Sequence, residues 1–274
     1  MKKINLLVLL CCGWVAALTA QSAPQFFQPV AESAVALRGV APRATMPAAY
    51  TIYQLNLPAL QAALQTAPWE FTPAARQHTC TLALPMGDGT VEDFAVWQVA
   101  IMAPELAAKA PYIHTYGGES LRHPGKTIRF STTVRGFRAM ILRPDLGVEY
   151  VEPYVWGQLD YYLAFDRSAL PSQNRGLTTG VVPGGTPPTA APDEHPYTPE
   201  AEDRGPLFDP VKLRVFRYVA ACTGQFAQDH GGTAESALSA VVEYTNMVSA
   251  TYERDVDMRL QLVGNNDKVI YLDP

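Results

Sequence analysis

The sequence predicts an α+β protein: a mainly antiparallel β domain, then a linker, then a strand–helix–strand unit. Three observations carry this. Between residues 81 and 166, short runs of alternating apolar and polar residues are separated by turns rich in Gly, Pro and Asp. Between 171 and 210, proline is dense and large apolar residues are few. From 211 onward, period-two, helical and again period-two patterns follow one another.

At the N-terminus, Lys2 and Lys3 precede an apolar run from Ile4 to about Leu18. Ala17-Leu18-Thr19-Ala20 then gives a small-x-small pattern before Gln21. This is the layout of a cleavable signal peptide over residues 1–20, cut between Ala20 and Gln21. The run is shorter than the roughly 20 apolar residues that span a bilayer. No later segment is long and apolar enough to do so. The expectation is a secreted chain, extracellular or periplasmic, with no membrane contact after signal cleavage.

Residues 21–170 read as one β-rich domain. Its first part, 21–50, is rich in Ala, Pro and Gln and reads as a loosely ordered lead-in. Residues 55–64 suit a short helix starting near Pro58, because proline is tolerated in a first turn. Thr81–Leu84 and Val91–Val99 form a hairpin around the turn Pro85–Gly89, with Phe94 and Val96 on one face and Ala95 and Trp97 on the other. Pro104–Lys109 suits a helical turn, and Tyr116-Gly117-Gly118-Glu119-Ser120 reads as a turn. Thr127–Thr133 and Gly136–Leu142 alternate cleanly. Beyond the tight turn Pro144-Asp145-Leu146-Gly147, Val148–Tyr154 and Asp160–Asp166 continue as strands. Together they describe an antiparallel meander.

Residues 171–210 cannot bury enough apolar surface to order themselves, so they read as a Pro/Gly-rich linker, with Arg175 and Arg204 as candidate processing sites. Residues 211–274 resume order. Leu213–Cys222 reads as a strand whose second half is apolar on both faces, as in the interior of a covered sheet. Gly224–Gly232 reads as a loop. Thr233 is a good N-cap with Glu235 in the first turn. The helix it opens runs to about Tyr252, with Leu238, Val241, Val242, Thr245, Val248 and Tyr252 on one stripe. Asp257–Val263 and Val269–Leu272 return to period two. So small a unit buries too little to stand alone, and the expectation is a domain cut short at Pro274.

Composition narrows the function. The net charge of -5 argues against nucleic acid, which needs a basic face. Of four cysteines, two lie in the signal segment. Cys80 and Cys222 fall in different modules, so no disulfide framework is expected.

The C-terminal residues also carry a resemblance. The pieces are Ala220-Ala221-Cys222-Thr223-Gly224, His230-Gly231-Gly232-Thr233, Tyr252-Glu253-Arg254-Asp255, and Leu260 to Asp267. They resemble the start of the catalytic domain of bacterial secreted reprolysin-like (M12B-type, metzincin) zinc metallopeptidases. Earlier pieces resemble that family's propeptide: Leu84-Pro85 with Asp88-Gly89, Met102 to Leu106, Tyr116-Gly117-Gly118, and Gly136 to Met140. The resemblance implies a precursor of a zinc-dependent metalloendopeptidase. Residues 21–170 would be the propeptide and 211–274 the N-terminal part of an α/β catalytic domain. It also implies a protein or peptide substrate for the full-length enzyme, and a propeptide that docks on its own catalytic domain.

The family's chemistry needs H-E-x-x-H-x-x-G-x-x-H, whose helix-face histidines hold zinc while the Glu polarises its water. The five histidines here are His78, His114, His123, His195 and His230, and no two stand four apart. No catalytic or zinc-ligand residue carries over, and the chain as given is expected to be inactive alone. Two readings stand for Cys80. It is a candidate inhibitory thiolate on zinc, or a small buried residue beside a strand; free Cys is among the most buried types, which favours the second. His230 reads as a loop residue, His114 and His123 as surface residues, and Glu253-Arg254-Asp255 as a solvated helix end. The alternative reading of the whole is a secreted propeptide-like inhibitor or binding protein with no catalysis of its own.

Overall fold

The structure is a computed structural model that describes residues 26–35, 43, 45–171 and 212–273. A nine-stranded antiparallel sheet dominates it. Its strands are β1 (Phe27–Pro29), β2 (Thr51–Leu55), β3 (Thr81–Pro85), β4 (Val91–Gln98), β5 (His114–Ser120), β6 (Thr127–Thr133), β7 (Gly136–Leu142), β8 (Val148–Pro153) and β9 (Tyr161–Asp166). Their order is β1-β2-β9-β8-β7-β6-β5-β4-β3. The run from β3 to β9 is the meander that the alternation predicts. Two corrections arise in it. The lead-in is not loose throughout, since Phe27–Pro29 pairs with Tyr53–Leu55 and Phe27 is buried. Tyr116 to Ser120 is not a turn but part of β5, paired on both sides.

The sheet rolls upon itself. Phe27 of β1 and Leu82 and Leu84 of β3 come from its two ends, yet they share one core with Phe94, Phe130, Phe137 and Tyr162. The β3–β4 turn reaches across to β8, where the Gly87 amide donates to Glu149 Oε2 at 2.8 Å. Gly87 fits because a Cβ there would strike the backbone of Phe165 and Asp166. Helix α1 (Leu57–Leu64) adds Leu57, Leu60 and Leu64 to the same core. Asn56 caps it through the Ala59 amide, and Pro58 lies in its first turn. The short helices α2 (Pro73–Arg76) and α3 (Pro104–Lys109) also begin at prolines.

The second segment has β10 (Arg214–Tyr218), α4 (Gly224–Asp229), α5 (Ala234–Val256) and β11 (Met258–Leu262). β10 and β11 pair in parallel around α5. The Thr233 hydroxyl accepts from the Ser236 amide and caps α5, while Asp257 in the left-handed region (φ 53°) ends it. Several expectations are corrected here. The expected loop after Cys222 contains α4, which Thr223 caps. The helix runs past Tyr252 to Val256. Residues 266–269 form a 3₁₀ turn, and no strand begins at Val269. β10 is not an interior strand: four of its five residues are exposed, and Val215 and Phe216 are about half exposed.

The two segments form one packed body. Val99, Ile101, Met102, Leu106 and Ile113 share a cluster with Cys222, Ala227, Leu238, Val241, Val242 and Leu262. The strand–helix–strand unit thus completes its core with residues of the sheet domain. The outer edge of β11 is likewise occupied: the Leu262 amide donates to Ile101 O, and the Ala103 amide to Leu262 O, both at 2.8 Å. Among the described residues, no helix is long and apolar enough to cross a membrane.

Candidate functional site

The surface between the segments carries a dense set of polar contacts. On the outer face of the sheet, cross-strand pairing aligns Gly117 of β5, Arg129 of β6 and Met140 of β7. Helix α5 lies on this face. Met247 and Ala250 pack on Met140 and Leu142. Asn246, fully buried, donates from Nδ2 to the Phe130 carbonyl at 2.9 Å and to Ser131 Oγ at 3.1 Å. Glu243, 1 % exposed, accepts from Thr133 Oγ1 at 2.6 Å and from Arg135 Nε at 3.3 Å.

At the far end of α5 stands a cluster of four charges. Arg259 on β11 donates from Nε and Nη2 to the two oxygens of Glu253, at 2.7 and 2.8 Å. On its other side it grips Glu70, with Nη2 donating to Oε2 at 2.8 Å and Nη1 to Oε1. Arg129 Nη2 closes the cluster on Glu253. Burial acts to lower the Arg259 pKa, but the two carboxylates outweigh it and hold the guanidinium above its ordinary range. For Arg129, burial prevails over Glu253 and its pKa is lowered. A Cβ on Gly117 would collide with the Arg129 guanidinium, so the glycine clears its bed. The Gly117-Gly118 pair makes room within a strand.

Beside this surface, a cavity of about 570 Å³ opens between α5 and the strands β7 to β9. Met140, Tyr150, Phe165, Tyr244 and Met247 give it an apolar lining. At one end Glu152 pairs with Arg43 and with Arg138 Nη2 at 3.0 Å. The Arg138 guanidinium lies 5.2 Å from the Trp156 ring centre and 5.0 Å from that of Tyr244.

The residues singled out by sequence are scattered rather than gathered. Cys80 is 7 % exposed in the core inside the rolled sheet, and burial pushes its thiol pKa up. A zinc-binding sulfur is an acidified thiolate, whereas at Cys80 burial outweighs the one lowering contact, a hydrogen bond with Thr66. Cys222 is buried in the shared cluster. His230 stacks on Phe226 with 4.0 Å between ring centres, its Nδ1 2.7 Å from the Phe226 carbonyl, and burial lowers its pKa. His123 Nδ1 lies 2.6 Å from Glu92, and His78 Nε2 lies 3.2 Å from Glu119. His114 lies on β5 apart from these, with burial lowering its pKa. Ala20, Gln21, Arg175, Arg204 and His195 fall outside the described residues. Among the described residues, no group of three or more His, Cys, Asp and Glu is arranged to hold a metal ion.

Sequence reading missed Glu70, Arg129, Glu243, Asn246 and Arg259. It also took Glu253 for a solvated end, whereas only its neighbours Arg254 and Asp255 pair at the surface. A signal was present: Glu243, Asn246, Ala250 and Glu253 recur at helical spacing, so polar groups share a face with small and apolar ones.

The geometry defines a binding surface between two segments of the described residues. Residues 212–274 match the model of the reprolysin-like metallo-peptidases, family M12B. Neither the curated proteins nor the solved structures compared with the chain gave a match.

Proposed function

We propose that the chain is the precursor part of a secreted zinc-dependent metalloendopeptidase. In this reading residues 1–20 are a signal peptide, 21–170 the propeptide, 171–210 the linker that is cut on activation, and 211–274 the N-terminal part of the peptidase domain. The observation that carries it is the match of residues 212–274 to the reprolysin-like family. The burial of that segment against the sheet domain supports it. A propeptide that lends its apolar core to an incomplete domain would stabilise that domain until processing.

The described residues do not fit a zinc ion: they offer no ligand cluster, and the sequence lacks the H-E-x-x-H spacing. No step of peptide hydrolysis is assigned to them. In the proposed precursor the ligands come from sequence outside these 274 residues.

The test is to read the gene through the codon for Pro274 and assay the whole product. An in-frame three-histidine motif, with proteolysis that chelation abolishes and linker cleavage raises, is the expected result. A stop codon after Pro274, or a continuation without the motif, would overturn the reading.

A further inference from the structure

We propose that the outer face of β5 to β7 is a register-specific receptor for one kind of helix. Its partner carries an acid, an amide and an acid at the spacing of Glu243, Asn246 and Glu253. The inference deepens the propeptide reading and rests on it: the partner is a metallopeptidase domain whose first long helix bears this pattern.

The apolar contacts alone do not fix how α5 lies. Met247 and Ala250 on Met140 and Leu142 would tolerate a helix displaced by one turn, about 5.4 Å. The polar contacts would not. Such a slide takes Glu253 away from Arg129 and leaves Glu243 buried without Arg135 or Thr133. A buried charge stripped of its partner is strongly unfavourable. The middle contact acts similarly, because Asn246 reaches one main-chain carbonyl and one hydroxyl on the same strand. A buried amide of this sort sets register in helix pairs at a cost in stability.

The sheet side is shaped for the same three contacts. Gly117 leaves the space that Arg129 fills, and Arg135 is supported from the sheet side by the Trp156 ring, whose centre lies 4.9 Å from its guanidinium. A helix with apolar residues at the three positions would leave Arg129 and Arg135 short of acceptors. The surface therefore selects by rejection as well as by attraction.

The experiment uses the whole chain with a protease recognition sequence placed in the linker. Each variant is first checked uncut by near-ultraviolet circular dichroism, since the tether holds docking at high effective concentration. It is then cut, and the dissociation constant of the two pieces is measured. The wild-type pieces are expected to stay together through gel filtration. Glu243→Gln and Glu253→Gln keep side-chain shape and are each expected to weaken association about 30-fold or more. Arg135→Glu combined with Glu243→Arg should bind more tightly than either single change. Wild-type pieces that part on cutting, variants that bind as well as wild type, or a combined variant no tighter than its singles would each overturn the inference. Proteolysis is not read in this assay, so its outcome is separate from that of the peptidase reading.

Discussion

Arg259 and Glu70 meet across 189 residues of chain, with Arg259 Nη2 donating to Glu70 Oε2 at 2.8 Å. The contact ties the loop before α2 to the strand after α5. Its strength depends on the rest of the cluster, because the same guanidinium serves Glu253 from its other edge.

Replacing Glu70 by Ala should therefore destabilise the whole chain by about 3 kcal/mol, since a buried guanidinium loses one of its two carboxylates. Urea denaturation followed by tryptophan fluorescence measures this. A Glu70→Ala, Arg259→Ala pair should cost less than the sum of its singles. Strict additivity would mean that the two side chains do not interact.

Gly117→Ala tests the space given to Arg129. The added methyl displaces the guanidinium and should cost about 1–3 kcal/mol, with thermal unfolding as the measurement. Gly157→Ala is the contrasting control. It meets nothing within 4 Å but carries φ +86°, so it bears only backbone strain, on the order of 1 kcal/mol.

Alkaline pH should loosen the rolled core. Burial pushes both Tyr116 and Tyr162 up to about 12 from an ordinary 10.0. Between these values the folded chain keeps protons that the unfolded chain has released, so stability falls as pH rises through the window and is undiminished below it. The raised Cys80 thiol acts in the same direction from its ordinary 9.0 upward. Absorbance titration at 295 nm combined with urea midpoints checks it; a midpoint that stays level from pH 10 to 12 would contradict the burial of both phenols.

Zinc should neither bind nor matter to this chain on its own. Metal analysis after dialysis against zinc is expected to find well under one equivalent, and EDTA to leave the thermal midpoint unchanged. One tightly held equivalent would contradict the site as described.

The exposed strand β10 should tolerate polar change. Val215→Lys or Phe216→Thr is expected to alter stability by about 0.5 kcal/mol or less and to reduce self-association, because an open apolar edge invites strand pairing. Light scattering against concentration reads the second effect.

The meander was legible because the inner face of the sheet takes large apolar side chains at every second position, such as Ile128 and Phe130. Arg129 and Ser131 point to the other face, even though that face is partly covered too. Helix α5 was legible from its cap and its stripe. What stayed hidden depends on residues far apart in sequence. β10 looks like an interior strand because Val219, Ala220 and Ala221 follow one another. Among the described residues, however, only β11 pairs with it, and Val219 is exposed. Val248 and Tyr252 fit the apolar stripe yet stand partly in solvent, because α5 meets the sheet with its Glu243–Asn246–Glu253 face. Nothing near Glu253 in sequence announces Arg129. Gly117-Gly118 reads as a turn until the pairing partner is known, for only then does the missing side chain have a neighbour to clear.

The segment Ile101–Ala103, laid along β11, also bears on the order of events during synthesis. The template is made first and the strand that needs it last. Domains generally fold as units and N-terminal first as the ribosome delivers them. Leu262 thus leaves the ribosome after its partners have already been translated, and the late segment meets a finished surface instead of waiting exposed for one. Circular permutation that placed residues 212–273 ahead of the sheet would reverse that sequence, and the newly made strand–helix–strand unit would wait with Val241, Val242 and Leu262 uncovered.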